Sequence, residues 1–269
     1  VSAASANDLR HATHNLWYRL DDRRWRADLD KSTTADVVCL QEAEGLALRT
    51  TLKAYTTDHD LGLFHPTGSG NPIIWNPKKM RPGTFKGCLT SHLSAPAMGV
   101  DAKFNPKRDF TWHGFTHIGS GQKMLFINVH PVAKATKPEG APDHHDPATV
   151  SIWKDAAIAN YWLDVVSFTA DQMSRNTGLK SFNGWWDSIF LGGDFNAGTA
   201  NANEWYYPGA LLPSLYVQDT STKGLDHLMR TKGSDARNLR RWSVEGHSDH
   251  RIHFADYLLR EVNDFPREM

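Results

Sequence analysis

The chain has 269 residues, and its 30 lysines and arginines are balanced by 30 aspartates and glutamates, so the formal net charge is zero. That excludes a bulk positive field of the kind that draws polyanions, although a local basic rim with bridging cations still serves one. No apolar run is long enough to span a bilayer, and the start at Val1 shows no signal-peptide pattern. A piece of a longer polypeptide is compatible with the start at Val1. No linker, internal repeat or low-complexity block divides the chain, so a single domain over 1–269 is expected, and a monomer with no inferable protein partner.

In chain order, residues 12–17 read as a strand with a polar end at Asn15. Residues 22–31 read as a short amphipathic helix with Trp25 and Leu29 on one face. The apolar run Val37-Val38-Cys39-Leu40 marks a strand over 36–41, and Leu48, Leu52 and Tyr55 at helical spacing mark a second helix. Strands follow at 72–75, 111–116 and 123–130, then a long loop rich in proline, histidine and aspartate. Asp146-Pro147 reads as an N-cap with proline at the first helical position. That helix reaches about residue 168, with Ile152, Ala156, Leu163 and Val166 on its apolar face. The last strands are 188–191, 224–230 and 250–257. Strands with polar ends mixed with covering helices argue for a layered α/β sandwich.

The most informative stretch is Leu191-Gly192-Gly193-Asp194-Phe195-Asn196. Side chains two apart on an extended chain point the same way, so Asp194 and Asn196 face one site. That site lies at the carboxyl end of a strand, where open α/β sheets bind ligands. A carboxylate binds a metal or orients water, and a carboxamide donates to a phosphate oxygen. Other strand ends carry similar groups: Asn15, Glu42, His130, Asp226 and Ser248-Asp249-His250. A solvated strand end explains any one of them, but their recurrence points to a shared site.

These segments resemble a known group. His14-Asn15-Leu16-Trp17, Cys39-Leu40-Gln41-Glu42, Asn128-Val129-His130, Gly193-Asp194-Phe195-Asn196, Leu225-Asp226-His227 and Gly246-His247-Ser248-Asp249-His250 are similar to the ordered motifs of the endonuclease/exonuclease/phosphatase superfamily. The group includes pancreatic-type deoxyribonuclease, abasic-site endonucleases, deadenylases, sphingomyelinases and inositol-phosphate phosphatases. The resemblance implies a four-layer α/β sandwich, two mixed β-sheets packed face to face with helices on the outer faces. It also implies P–O bond hydrolysis assisted by a divalent cation, Mg2+ with Mn2+ as the alternative. Carried over motif by motif, Glu42 would be the principal metal ligand, with Asn15 beside it and Asp249 closing the site. Asp194 would orient or deprotonate water, and Asn196 would hold a phosphate oxygen. His250, with Asp226 behind it, and His130 would face the phosphate from the other side.

The basic residues Arg230, Lys232, Arg237, Arg240, Arg241 and Arg251 read as a loop, either solvated or a rim that grips flanking phosphates through Arg240 and Arg241. Arg108 is a candidate for approaching the substrate phosphate. Trp205-Tyr206-Tyr207 reads as a loop anchor with base stacking as the alternative, and most of the ten tryptophans read as anchors. Asp143-His144-His145-Asp146 lacks a zinc-site spacing, and His113, His117 and His253 read as ordinary strand residues. Cys39 reads as a buried small hydrophobe and Cys88 as a loop residue, with no support for a disulfide. The expected function is a nuclease acting on DNA; the alternative is hydrolysis of a small phosphoester, phosphoinositide or phospholipid head group. A non-catalytic binding domain would show substitution at Glu42, Asp194 or His250, and all three are in place.

Overall fold

Runs that are apolar at nearly every position become strands buried on both faces, and these organise the chain. In a computed structural model of the protein, residues 8–17, 19–91, 108–131, 147–174, 186–196, 212–220 and 224–260 are described, with backbone only for 147–159. The elements are β1 (Asp8–Asn15), α1 (Asp22–Ser32), β2 (Val37–Gln41), α2 (Leu46–Asp58), β3 (Gly62–Phe64), β4 (Ile73–Trp75), β5 (Met80–Thr90), β6 (Asp109–His117) and β7 (Lys123–Val129). They continue with α3 (Pro147–Ser174), β8 (Ser188–Asp194), a 3-10 turn (Leu212–Ser214), β9 (Tyr216–Gln218), β10 (Asp226–Thr231), β11 (Ala236–Val244) and β12 (Ile252–Leu259).

The strands form two six-stranded sheets, ordered β11-β12-β1-β2-β4-β3 and β5-β6-β7-β8-β10-β9. Each is mixed: β1 runs parallel to β2 and β7 parallel to β8, while the other described pairings are antiparallel. A parallel pair needs a long crossover, and α1 and α3 lie on those two connections.

Side-chain alternation sorts the core into layers. Leu9, Val37 and Tyr257 of the first sheet meet Met124, Phe126, Phe190 and Leu228 of the second in the space between sheets. The Phe126 and Phe190 rings stack there at 4.9 Å. On the outer face of the first sheet, Ala12, Val38 and Leu40 pack under Trp25 and Leu29 of α1 and Leu52 and Tyr55 of α2. On the outer face of the second, Leu125, Ile127 and Leu191 pack under Tyr161, Trp162 and Val165 of α3. The expected four-layer sandwich is therefore present, and burying each of these rings stabilises it by on the order of 2–3 kcal/mol.

Four strands escape the sequence pattern: β3, β5, β9 and β11. They are the outermost strands of the two described sheets. Residues 236–244 thus form a strand, not the basic loop expected, because an edge strand half-exposed to water needs no apolar run. Cys88 likewise lies on β5, and both cysteines are free, Cys39 buried and Cys88 exposed. No helix among the described residues is long and apolar enough to cross a membrane. The Asp143–Asp146 cluster, with the expected N-cap, and Trp205-Tyr206-Tyr207 lie outside the described residues.

Candidate active site

Strand polarity brings the polar ends together. Asn15 ends β1, Glu42 follows β2, His130 follows β7 and Asp194 ends β8. Asp226 opens β10, in register opposite Asp194, and His250 precedes β12, which runs antiparallel to β1. All six therefore lie at one end of the sandwich. The chain leaves these strands sharply: Trp17, Glu42 and Asn196 each take a left-handed backbone, at φ 49°, 60° and 51°. Such conformations in non-glycine residues are uncommon and cluster at functional sites. Gly193 is required for a different reason, since a Cβ there would lie 2.0 Å from the Val129 carbonyl oxygen. Only glycine lets β8 approach β7 so closely beside Asp194.

Asn15 joins the two sheets. Its amide nitrogen donates to Glu42 Oε1 at 3.1 Å and to Asp194 Oδ2 at 3.0 Å, while its oxygen accepts from the Trp17 backbone N–H at 3.0 Å. Asp194 Oδ1 accepts from the Asn196 N–H at 2.7 Å, and Asn196 Nδ2 donates to the Pro131 carbonyl at 3.0 Å. Burial and the neighbouring Asp226 push the Asp194 carboxyl up to about 7, against the lowering effect of His250 and its hydrogen bonds.

His250 Nδ1 donates to Asp226 Oδ2 at 2.7 Å, and its Nε2 lies 3.7 Å from Asp194 Oδ2. Burial disfavours the imidazolium, but the Asp226 bond and charge outweigh it and raise His250 to about 9. His130 is the opposite case. Burial, with Arg108 and His250 nearby, holds it well below its usual value. At 3.6 Å from Asp194 Oδ2 it is a neutral neighbour, not half of an ion pair. Two histidines on one carboxylate thus differ in charge, a difference set by their environments.

Arg108 and Glu42 line one cleft of about 440 Å³ with Glu44, Gly45 and Leu48, and Arg108 reaches Glu44 at 3.7 Å. Asp249 is exposed at the rim, 3.4 Å from the Ser248 hydroxyl. Arg240 and Arg241 do not join this group. Arg240 pairs in register with Asp256, roughly 13 Å along β12 from Ile252 at ~3.3 Å per residue. It bonds Asp256 at 2.9 Å and lies over Trp242 at 4.4 Å, while Arg241 donates to the Thr220 carbonyl at 3.1 Å. A larger open groove of about 550 Å³, lined partly by Arg10, Lys31, Arg240 and Trp242, lies there and not at the converging strand ends.

Some residues that build the site carried no role in the sequence reading. Gln41 Nε2 donates to Asn128 Oδ1 at 2.7 Å, and Asn128 Nδ2 donates to the Leu40 and Pro72 carbonyls at 2.7 and 2.9 Å. This buried polar layer ties the sheets together just beneath Glu42 and His130. Tyr161 of α3 accepts from the His130 N–H and donates to the Asp109 carbonyl, both at 3.0 Å. Gln41 and Asn128 sat inside recognisable motifs, whereas Tyr161 looked like an ordinary core residue of a helix.

No protein-family model and no curated protein sequence matches the chain. Solved structures do. An endonuclease/exonuclease/phosphatase family protein from Bacteroides thetaiotaomicron has a TM-score of 0.61 at 14% identity, covering 97% of this chain and 98% of that one. A humanized D. rerio TDP2 has a TM-score of 0.63 at 12% identity, covering 94% and 99%. A mannosyl-6-phosphatase from Bacteroides thetaiotaomicron has a TM-score of 0.59 at 14% identity, covering 93% and 100%. The chain thus has the endonuclease/exonuclease/phosphatase fold, as its ordered motifs led one to expect.

Proposed function

We propose that the chain is a divalent-metal-dependent phosphoester hydrolase acting on nucleic acid, with DNA as the first candidate substrate. The observation that carries the chemistry is the His250–Asp226 pair facing Asp194, with Asn15 holding Asp194 and Glu42 at a fixed spacing. The donors around Glu42 suit a hard cation, because carboxylate and carboxamide oxygens are its preferred ligands. Glu42 and Asp249 would hold it, and Asn15, whose nitrogen and not its oxygen faces Glu42, would fix that carboxylate in place. Asp194, Asp226 and His250 bring ligand atoms within 4.8 Å of one another and form a second group that could hold a cation, although His250 Nδ1 is already bonded to Asp226 there. A bound cation would neutralise charge on the phosphate oxygens and so lower the barrier to attack.

The remaining steps belong to the chain's own side chains. Asp194, with a carboxyl near 7, is matched to accept a proton from attacking water at neutral pH. His250, held as imidazolium by Asp226, donates to a non-bridging phosphate oxygen, a bond that strengthens as charge develops there. His130 offers a neutral donor on the same side, and the Asn196 amide, which holds the Pro131 carbonyl with one hydrogen, would meet a phosphate oxygen with its second. Arg108 supports binding of the anionic substrate from the cleft beside Glu42.

A small phosphoester is the second reading, favoured by the likeness to a structure described as a mannosyl-6-phosphatase. The two separate when purified protein is incubated with supercoiled plasmid, single-stranded DNA, RNA and generic phosphoesters, each with magnesium, manganese or chelator. Cleavage of DNA that stops with chelator is expected. Cleavage of phosphoesters alone, under adequate metal, would replace the first reading by the second.

A further inference from the structure

The segment that carries His250 has no regular structure of its own, yet it is held from three sides. Ser248 Oγ donates to the Asn15 carbonyl at 2.7 Å and accepts from the His250 N–H at 3.2 Å. His250 itself is fastened to Asp226. The third hold comes from α1. Asp28, fully buried on that helix, accepts from the His247 N–H with both oxygens, at 2.8 and 2.7 Å, and from the Ser248 N–H at 3.0 Å. Lys31, one turn on, donates to the Glu245 carbonyl at 3.0 Å. The fit is close: a Cβ on Gly246 would lie 2.6 Å from Asp28 Oδ2. The helix is itself tied to the site, since the Trp25 indole donates to the Leu16 carbonyl at 3.1 Å, just past Asn15.

A buried carboxylate loses its hydration and is tolerated only where charge-assisted hydrogen bonds replace it. A helix that only covered a sheet would place an apolar residue here. We propose that Asp28 is a positioning residue of the hydrolase: by gripping the backbone of residues 246–248 it sets His250 against Asp226 and Asp194. This rests on the reading of His250 as a phosphate-facing donor. Asp28 acts through two backbone amides and one serine, so its loss moves a donor without removing it, and misplacement of a reacting group by about 1 Å costs roughly 100-fold in rate.

The test uses Asp28→Asn, which keeps the shape and one acceptor oxygen, and Gly246→Ala, which pushes on the same contact from the loop side. Two measurements are made: hydrogen exchange at the His247 and Ser248 amides, and kcat and KM on the phosphoester the parent cleaves. In either variant the two amides should exchange at least about 10-fold faster while β1 and β12 amides keep their protection. The kcat should fall roughly 10- to 100-fold with KM within about twofold. In a His250→Ala background Asp28→Asn should cost clearly less than in the parent, the remainder acting through Asp249 on the same segment. Unchanged exchange at the two amides, or an equal loss of kcat without His250, would overturn the assignment. If the parent cleaves no phosphoester, the functional reading falls, and the exchange rates alone still decide whether Asp28 holds the segment.

Discussion

The Asn15 amide nitrogen lies 3.0 Å from Asp194 Oδ2 and 3.1 Å from Glu42 Oε1, so one neutral side chain sets the distance between two carboxylates on different sheets. A carboxamide suits this place because it brings two N–H donors and no charge. Asn15→Ala should lower kcat/KM on the order of 100-fold by freeing both carboxylates. Asn15→Asp should do worse, since a third carboxylate would repel the other two. Steady-state kinetics on the two variants settle the order, and equal losses would remove charge from the explanation.

His250 and Asp226 should behave as a unit. Single alanine variants are expected to lose roughly 10²–10³ in kcat, the scale for removing one preorganised donor to a developing oxyanion. The double variant should lose little more than either single, because each residue works through the other. Multiplicative losses would show that Asp226 acts mainly through Asp194, whose carboxyl it also raises, and not through His250.

Asp194 carries a stability cost with a definite sign. Its carboxyl is raised from the ordinary aspartate value of 3.8 to about 7, so the folded state holds the proton more tightly than the unfolded chain. The associated stability is complete below 3.8 and is lost as pH rises through about 7. Asp194→Asn should therefore abolish activity yet raise stability at pH 8 by on the order of 1–3 kcal/mol. The gain should vanish near pH 4, as thermal melts at the two pH values will show.

His250 predicts a limb on the other side. Raised to about 9, it stays protonated at neutral pH and loses its charge above that value. Activity that needs the imidazolium should fall at alkaline pH. A His250→Gln variant should lack that limb in its kcat profile, and a retained limb would assign it to another group.

The two groups of arginines should separate in binding. Arg108→Ala should weaken nucleic-acid binding and reduce its salt slope by about one phosphate contact. Arg240→Ala removes an exposed pair to Asp256, worth roughly 0–1 kcal/mol of stability, and should leave the slope unchanged. A slope that falls for Arg240 or Arg241 variants would return β11 to the substrate rim.

Every strand that sequence patterning revealed is an interior strand, and every one it missed is an edge. Ser188–Asp194, buried throughout, announced itself as an apolar run ending in a carboxylate. Ala236–Val244 did not, because Arg240 turns to Asp256 and Trp242 and Arg241 to the Thr220 carbonyl, and nothing in their order separates an exposed strand from a loop. The same distinction governs the site. Asn15, Glu42, His130, Asp194, Asp226 and His250 were visible because each interrupts an apolar run at a strand end. Asp28 and Tyr161 were not, because an aspartate on an amphipathic helix and a tyrosine on an apolar one are ordinary in sequence.

The pattern of strands and helices by itself determined a layered α/β sandwich, the resemblance of the ordered motifs implied its four layers, and the strand ends announced the chemical groups gathered at one end of it. Hydrophobic periodicity is a local property and survives being read one residue at a time. Charge state and aim are not local. That His250 is raised while His130 is lowered, that Asp194 sits near 7, and that Arg240 turns to Asp256, were decided by tertiary neighbours. Burial and the distance to the nearest charge belong to the folded chain, and no spacing along the sequence carries them.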